Sequence, residues 1–463
     1  MNYSDGYIES LLNKEIKLYD IDTGSEISGS QVYRECLEKS SEIKRITAGL
    51  ENQFIYIHED NKINYIIDFF SVILAGHIAT PVVNEWGDLA RKKINERLNP
   101  LLEIKNGEIR KLESDGHDLT LPARCNVALH SSGTTSTPKT ILHTIESLVG
   151  NAKSMSSALK NDQSDKHLCT LPLSHAHGLG FGMLSSLSLG CDLYLCRFTS
   201  PQGWLSNINQ HKITISSLVP PLLKLVTDQR RSSEVKSLRY LLVSSSRLVK
   251  ETAETFVNQY ETPIVHGWGQ SELSNFVTCT QKLGADDIRI SGKVLSVGSP
   301  INGCKVSVEE SKIYASSEYS SIGIISDIGF SLLNTWHDTG DTGTLHDNQL
   351  YIEGRIDEIL TKGSVKYSPA QLEDEVLDKV DGLKKCIALN KKTESEDDKF
   401  ILYLVLNPDV DNERKIKLSV RKVLADIVLP DDIVIGNESS IPETVTGKIM
   451  RKKLCMQLTG GMQ

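Results

Sequence analysis

No stretch of the 463 residues reaches the ~18 consecutive apolar positions that a membrane-crossing helix needs, so membrane insertion is not expected. The amino terminus, Met1-Asn2-Tyr3-Ser4-Asp5, lacks the basic region and apolar run of a secretory signal. The nine cysteines, spread from Cys36 to Cys455, form no CxxC pair and are odd in number, which fits reduced thiols rather than a disulfide framework. Positive charge is in deficit: 51 basic against 60 acidic residues leave a net charge of -9, which disfavours nucleic acid as a partner. Internal repeats and low-complexity tracts are also missing. The expectation is a soluble, cytoplasmic chain of more than one unit, at roughly 150 residues per domain.

What is present begins with a βαβ opening. Gln53-Phe54-Ile55-Tyr56-Ile57 reads as a buried strand, Ile63 to Gly76 as an apolar helix, and Pro81-Val82-Val83 as the return. Residues 84 to 124 are polar and weakly patterned. Further on, Cys125 to Leu129, Thr214 to Val219, Leu238 to Val243 and Thr262 to His266 read as strands, with helices over Ile145 to Leu159, from Pro220-Pro221, and over Lys250 to Asn258. Three of these strands open onto small or polar loops, 131–135, 244–246 and 268–272, and in an open α/β sheet such loops converge on the ligand crevice. Short β-like pieces from Val294 to Leu350 suggest a small antiparallel unit, and alternating helices and strands beyond Asp357 a separate domain.

The loop Ser131-Ser132-Gly133-Thr134-Thr135-Ser136-Thr137-Pro138-Lys139-Thr140 is crowded with hydroxyls and carries one cation, the composition of a phosphate cradle. It misses the P-loop pattern at Pro138, because proline has no N–H to give where the second P-loop glycine gives one. Taken alone it leaves three readings open: a P-loop, an ordinary surface loop, or a different nucleotide-binding loop. Trp268-Gly269-Gln270-Ser271-Glu272 sets a ring that could stack on a base beside a carboxylate that could hold Mg²⁺, though those residues by themselves read more readily as a core Trp beside a surface Glu. Thr339-Gly340-Asp341 could present two acceptor oxygens to a ribose or simply form a turn. Gly354-Arg355-Ile356-Asp357 and Thr444-Val445-Thr446-Gly447-Lys448-Ile449-Met450-Arg451 are weak in isolation.

In this order and spacing, the five stretches resemble the adenylate-forming superfamily of AMP-dependent synthetases and ligases: acyl- and aryl-CoA synthetases, luciferases and adenylation domains of peptide synthetases. The resemblance runs from about Gln31 to Leu454 and implies an α/β fold. A large N-terminal domain of layered α/β sheets, residues 1–356, would include a β-rich subdomain at about 294–350. A mobile α+β lid domain, 357–463, would follow. It also implies an ATP-dependent ligase in which a carboxylate attacks the α-phosphorus, giving an acyl- or aryl-adenylate and pyrophosphate. A thiol, either CoA or the phosphopantetheine of an acyl or aryl carrier protein, then takes the acyl group.

Carried over by position, Ser131, Ser132, Gly133, Thr134, Thr135 and Lys139 match the loop that grips the phosphates. Ser245 and Gly269 match positions beside the nucleotide, Trp268 the adenine-stacking ring, Ser271 the α-phosphate hydroxyl, and Glu272 the Mg²⁺ ligand. Asp341 and Arg355 match the ribose contacts, Asp357 the hinge, and Lys448 the catalytic lysine between carboxylate and α-phosphate. Arg451, Lys452 and Lys453 read as a solvated basic surface. The segment around Lys362-Gly363-Ser364 would approach the thiol.

His175 matches a gate between acyl pocket and thiol channel, and Ala176, Gly180, Ser246, Gly267 and Gly269 match the pocket lining. With Gly178 and Gly182, these small residues suggest an open floor and an aryl or medium-sized acyl carboxylate. His175-x-His177 offers two metal-type ligands without a third, a poor zinc site. Ala176 stands where amino-acid-activating members place an aspartate, so the ammonium of an α-amino acid would go unpaired. That disfavours a free-standing amino-acid adenylation enzyme, and the presence of Lys139, Glu272 and Lys448 disfavours a non-catalytic nucleotide binder. Ser136, Thr140, Ser244, Ser245 and Ser364 stand where glycines are usual.

Overall fold

In a computed structural model of the protein, the structure describes residues 3–58, 62–83, 86–122, 124–131, 138–229, 235–290, 294–362, 365–391, 398–410, 412–444 and 449–459. The chain divides into two compact units. The first comprises 1–306, 315–337 and 347–350, and the second 307–314, 338–346 and 351–463.

The apolar runs of the first unit become strands and helices buried on all sides. Phe54–Ile57, Ile78–Pro81 and Val127–His130 are buried at every position, as parallel strands covered on both faces must be. They lie in an eight-stranded sheet that a hairpin, Gly323–Ser326 and Gly329–Leu332, extends at one edge and Leu102–Lys105 with Glu108–Lys111 at the other. A nine-stranded sheet runs parallel through Ile264–Trp268, Tyr240–Val243, Ile215–Leu218, Lys166–Cys169, Asp192–Leu195 and Lys17–Asp20.

Between these sheets lies one shared core. Ile55, Val127 and Leu129 of the first sheet join Leu18, Leu193 and Leu195 of the second through the helices Gly29–Thr47 and Ile63–Leu74. The helix Ile63–Leu74 is apolar on nearly every face, and such a helix can only be an interior one. Its fully buried Asp68 is held by Lys39 from the neighbouring helix, whose start carries a capping box between Ser28 and Gln31. Residues 84–124, unpatterned in sequence, contain the helix Asp88–Leu98 and the hairpin at 102–111.

The strand-rich stretch expected to form one small antiparallel unit is shared among several sheets: Ser299–Pro300 joins the nine-stranded sheet and the 323–332 hairpin the eight-stranded one. Cys304–Glu309, Lys312–Ser317, His337–His346 and Gln349–Arg355 form a separate four-stranded sheet. Short alternating strands specify a pleat but not which partner edge they pair with.

In the second unit, Leu383–Lys391, Lys399–Leu406 and Asp432–Ile435 form a three-stranded sheet. Along its central strand Phe400, Leu402 and Leu404 face one way, onto Leu372, Val376, Val420 and Leu424 of two helices. Ile401, Tyr403 and Val405 face the other, onto Leu454 of the helix Arg451–Leu458.

Candidate functional site

In the first unit the expected loops do sit at strand ends. Val127–His130 runs into Ser131, and the loop from there to Lys139 is closed at its base: Ser131 N–H donates to the Lys139 carbonyl at 3.0 Å, and Lys139 N–H donates to Ser131 Oγ at 3.1 Å. The Pro138 carbonyl accepts from Arg97 Nη1 at 2.8 Å. Lys139 is exposed, and its ammonium has no acidic partner among the described residues. Ser132, Gly133, Thr134 and Thr135 lie outside the described residues, as do Ser136, Gly363, Ser364 and Lys448. Thr140, unexpected beside the phosphate loop, is buried, and its hydroxyl meets His130 Nδ1 at 3.2 Å, so it fastens the loop's stem.

Two buried histidines, His130 and His177, stand at these loops. His130 is driven down to about 3 by burial, with the charges of Arg97 and His175 adding to the effect. His177 is driven equally far, to about 3, by burial first and then by His167 and His175. Both rings are therefore neutral, and His175, half-buried, bears on each. His177 Nδ1 lies 3.0 Å from Ser244 Oγ and 3.2 Å from Ser245 Oγ, which joins the 175–177 segment to the loop after Tyr240–Val243. Ser245 is exposed and adopts φ 76°, a left-handed backbone that glycine takes at less cost. His177 also opens a π-helical segment, His177–Leu184, a winding often met at functional sites.

The third loop follows Ile264–Trp268. Trp268 is half-buried, and Ser271 and Glu272 begin a single 3₁₀ turn. Glu272 is half-buried, with no side-chain partner among the described residues. One free carboxylate suits Mg²⁺, which keeps most of its ligands as water and phosphate oxygens and needs no all-protein cage. Among the described residues no group of three metal-ligating side chains exists, at His175 and His177 or elsewhere.

The small residues that suggested an open pocket floor are instead packed closed. A Cβ at Gly269 would collide with the Asn275 carbonyl, one at Gly178 with the Pro172 carbonyl, and one at Gly182 with Cys169 Sγ. At Gly180 it would lie 2.9 Å from Asn275 Nδ2, and at Gly267 2.7 Å from the Phe276 ring. At Gly269 and Gly178 glycine permits close approach of backbone to backbone, and at Gly180, Gly182 and Gly267 close approach of a side chain, so the space of each missing Cβ is already filled by protein. Ala176 and Ser246 are half-buried.

In the second unit Asp341 and Arg355 are brought together, with Arg355 Nη1 donating to Asp341 Oδ1 at 2.9 Å and to the Thr339 carbonyl at 3.1 Å. Burial lowers the Arg355 pKa, but the carboxylates of Asp341 and Asp357 outweigh it and raise it overall. Asp357 accepts from Arg355 Nε at 3.4 Å and Lys452 Nζ at 3.2 Å. Burial would raise its pKa, yet these two cations hold it below the usual carboxylate range.

Arg451 departs most from its sequence reading. It is largely enclosed, paired through Nη1 and Nη2 with Glu373 and through Nε with Glu358 at 3.3 Å, and it donates to the Ala388 carbonyl at 3.0 Å. Its basic neighbours disguise it in the sequence, since a buried arginine is defined by distant carboxylates. His130 and His177 likewise carried no local signal beyond lying among apolar residues.

The family model described as "AMP-binding enzyme" matches residues 104–314. An oxalate–CoA ligase of Arabidopsis thaliana is 25% identical over 345 residues, 70% of this chain and 66% of that enzyme, so the match spans just under two thirds of that relative. A 2-succinylbenzoate–CoA ligase of Staphylococcus epidermidis is 23% identical over 92% of each chain. The solved anthranilate CoA ligase AuaEII, in complex with anthranoyl-AMP, has a TM-score of 0.81 at 17% identity, covering 99% of this chain and 98% of that one, a likeness of fold. In its AMP-binding region, the order of its motifs and its fold, the chain is thus similar to the adenylate-forming superfamily of AMP-dependent synthetases and ligases.

Proposed function

We propose that this protein is an ATP-dependent acid–thiol ligase. A carboxylate oxygen attacks the α-phosphorus of ATP as the bond to pyrophosphate breaks. The thiol sulfur of CoA then attacks the acyl carbon, losing its proton, and AMP departs. Both steps join anions, so the site must supply positive charge and alignment. The observation that carries the reading is an exposed cation, Lys139, and a half-buried carboxylate, Glu272, both without an ionic partner among the described residues and both on loops at strand ends.

On this reading the 131–139 loop holds the β- and γ-phosphates, Trp268 stacks on adenine beside Ser245 and Gly269, and Ser271 meets the α-phosphate. Glu272 would hold Mg²⁺, which supplies charge neutralisation of the triphosphate when bound. Asp341 and Arg355, already paired, present one acceptor and one donor group to the ribose. Lys448 bridges carboxylate and α-phosphate, His175 gates the acyl pocket, and Asp357 is the hinge of a lid comprising 357–463.

An aryl or medium-sized acyl acid is the proposed substrate. Two features support it: Ala176, which cannot pair with an α-ammonium, and the aryl acid, 2-succinylbenzoate, in the name of the Staphylococcus epidermidis relative. CoA is the preferred acceptor over a carrier protein, because both curated relatives are CoA ligases. Nine free thiols suit a reducing, cytoplasmic setting.

The test is product identification by mass spectrometry after incubation with ATP, Mg²⁺, CoA and one acid: 2-succinylbenzoate, anthranilate, oxalate, octanoate or phenylalanine. An acyl-CoA from an aryl or acyl acid is expected. Turnover with phenylalanine alone would overturn the substrate class and favour amino-acid adenylation.

A further inference from the structure

The loop assigned to carry Lys448 is anchored at its base by contacts that lead to the chain just after the proposed hinge. Glu443 and Ile449 pair as an antiparallel bridge, and Met450 N–H donates to the Pro442 carbonyl at 2.8 Å. Lys385 Nζ lies 3.2 Å from Glu443 Oε1 and 3.1 Å from Glu438 Oε1, which pins the outgoing arm to the strand Leu383–Lys391. On the returning arm, Arg451 spans Glu358 and Glu373, while Lys452 reaches Asp357. Glu373 is itself fixed, because its Oε1 also accepts from the Ala388 N–H at 2.7 Å.

We propose that Arg451 and Lys452 are positioning residues that lock the Lys448 loop to Asp357 and Glu358, so that loop and hinge turn as one piece. This rests on the ligase reading for its catalytic consequence. The two contacts differ in kind. Arg451 makes a planar, two-pronged pair with Glu373 and a third contact to Glu358, a geometry only a guanidinium satisfies, and its side chain is 18% exposed. Lys452, at 43% exposure, makes a single-point contact whose loss costs little stability. Arg451 therefore fixes where the loop stands, and Lys452 couples it to the hinge carboxylate. A lysine that must meet two anions at once has no tolerance for an ångström of drift. In a domain that rotates between two half-reactions, the loop must be rigid relative to the part that turns.

Three full-length variants test this: Arg451→Gln, Arg451→Lys and Lys452→Met. Adenylation is read as acid-dependent ATP–pyrophosphate exchange, using whichever acid of the panel above is fastest with the wild type. Thioester formation is read from the chemically prepared adenylate of that acid and CoA. Amide hydrogen exchange is followed in 442–450, 355–362 and the three-stranded sheet. Arg451→Gln is expected to loosen 442–450 while the sheet stays protected, and to lower the adenylation kcat by about 10²-fold with KM for ATP unchanged. Arg451→Lys should restore part of that loss.

Lys452→Met should leave the melting temperature in place and change the ratio of the two half-reactions by roughly 3- to 30-fold. The proposal is overturned if Lys452→Met leaves that ratio unaltered, or if Arg451→Gln loosens the whole unit uniformly. Should Arg451→Gln fail to fold, Lys452→Met alone decides. If the wild type activates no carboxylate, the ligase reading fails, and hydrogen exchange still decides whether the loop is locked through these residues.

Discussion

Ser131 and Lys139 close their loop with two reciprocal hydrogen bonds, 3.0 Å from the Ser131 N–H to the Lys139 carbonyl and 3.1 Å from the Lys139 N–H to Ser131 Oγ. The bonds use backbone groups and one hydroxyl, so the Lys139 ammonium is left for a ligand. Lys139→Ala should therefore keep the fold, with a stability change within about 0.5 kcal/mol for an exposed side chain. Its kcat/KM for ATP should fall by about 10²- to 10³-fold. Steady-state kinetics beside a denaturant titration checks both halves of that expectation.

Gly269 and Asn275 make the opposite kind of site, where the missing side chain is structural. Gly269→Ala forces a methyl into the Asn275 carbonyl, so the turn bearing Trp268, Ser271 and Glu272 must shift. A loss of about 1–3 kcal/mol is expected, together with weaker nucleotide binding. Gly6→Ala, in the helix Tyr3–Leu12 with open space around it, should stabilise slightly and leave binding alone. Equal effects of the two substitutions on ATP affinity would contradict the packing argument.

Asp68 is fully buried, and Lys39 holds it from the adjoining helix while also donating to the Gly107 carbonyl at 3.0 Å. Lys39→Met would leave an inadequately compensated buried carboxylate and should cost about 3–5 kcal/mol. Replacing both, Lys39→Met with Asp68→Leu, should cost clearly less. Urea unfolding of the two single variants and the pair gives the coupling directly.

The buried histidines set an acid limit. His130, His143 and His177 have pKa values lowered to about 3, and His77, His167 and His266 to about 4, burial being the first cause in every case. A depressed folded-state value means that the unfolded chain binds the protons first. Their contribution to stability is thus complete above about pH 6.5 and falls as the pH drops from there towards 4 and 3. Each should remove up to about 1.4 kcal/mol per pH unit in that window. His143→Gln should flatten the dependence by about one proton, measured by unfolding free energies between pH 7 and 5.

Long, strongly patterned elements were legible in the sequence. Ile63–Leu74 declared itself by being apolar on nearly every face, and Pro220–Thr227 by its opening prolines. Asp88–Leu98 did not, because it buries only Ile94 and Leu98 and its polar remainder looks like a loop. Motif order located the strand-end loops, since that order is carried by the chain itself. What lies between elements was not legible: Arg451 and Glu373 are 78 residues apart, and His177 and Ser244 are 67 apart. Nor could the sequence distinguish a glycine that leaves space from one that lets two backbones touch, as at Gly269.

The most direct test of the central claim is ATP–pyrophosphate exchange without CoA, in wild type and Lys448→Ala, across the five acids. Exchange that requires Mg²⁺ and one aryl or acyl acid is expected, with a loss of about 10²- to 10³-fold in Lys448→Ala and ATP binding retained. Absence of acid-dependent exchange in a wild type that binds ATP, or undiminished exchange in Lys448→Ala, would contradict it.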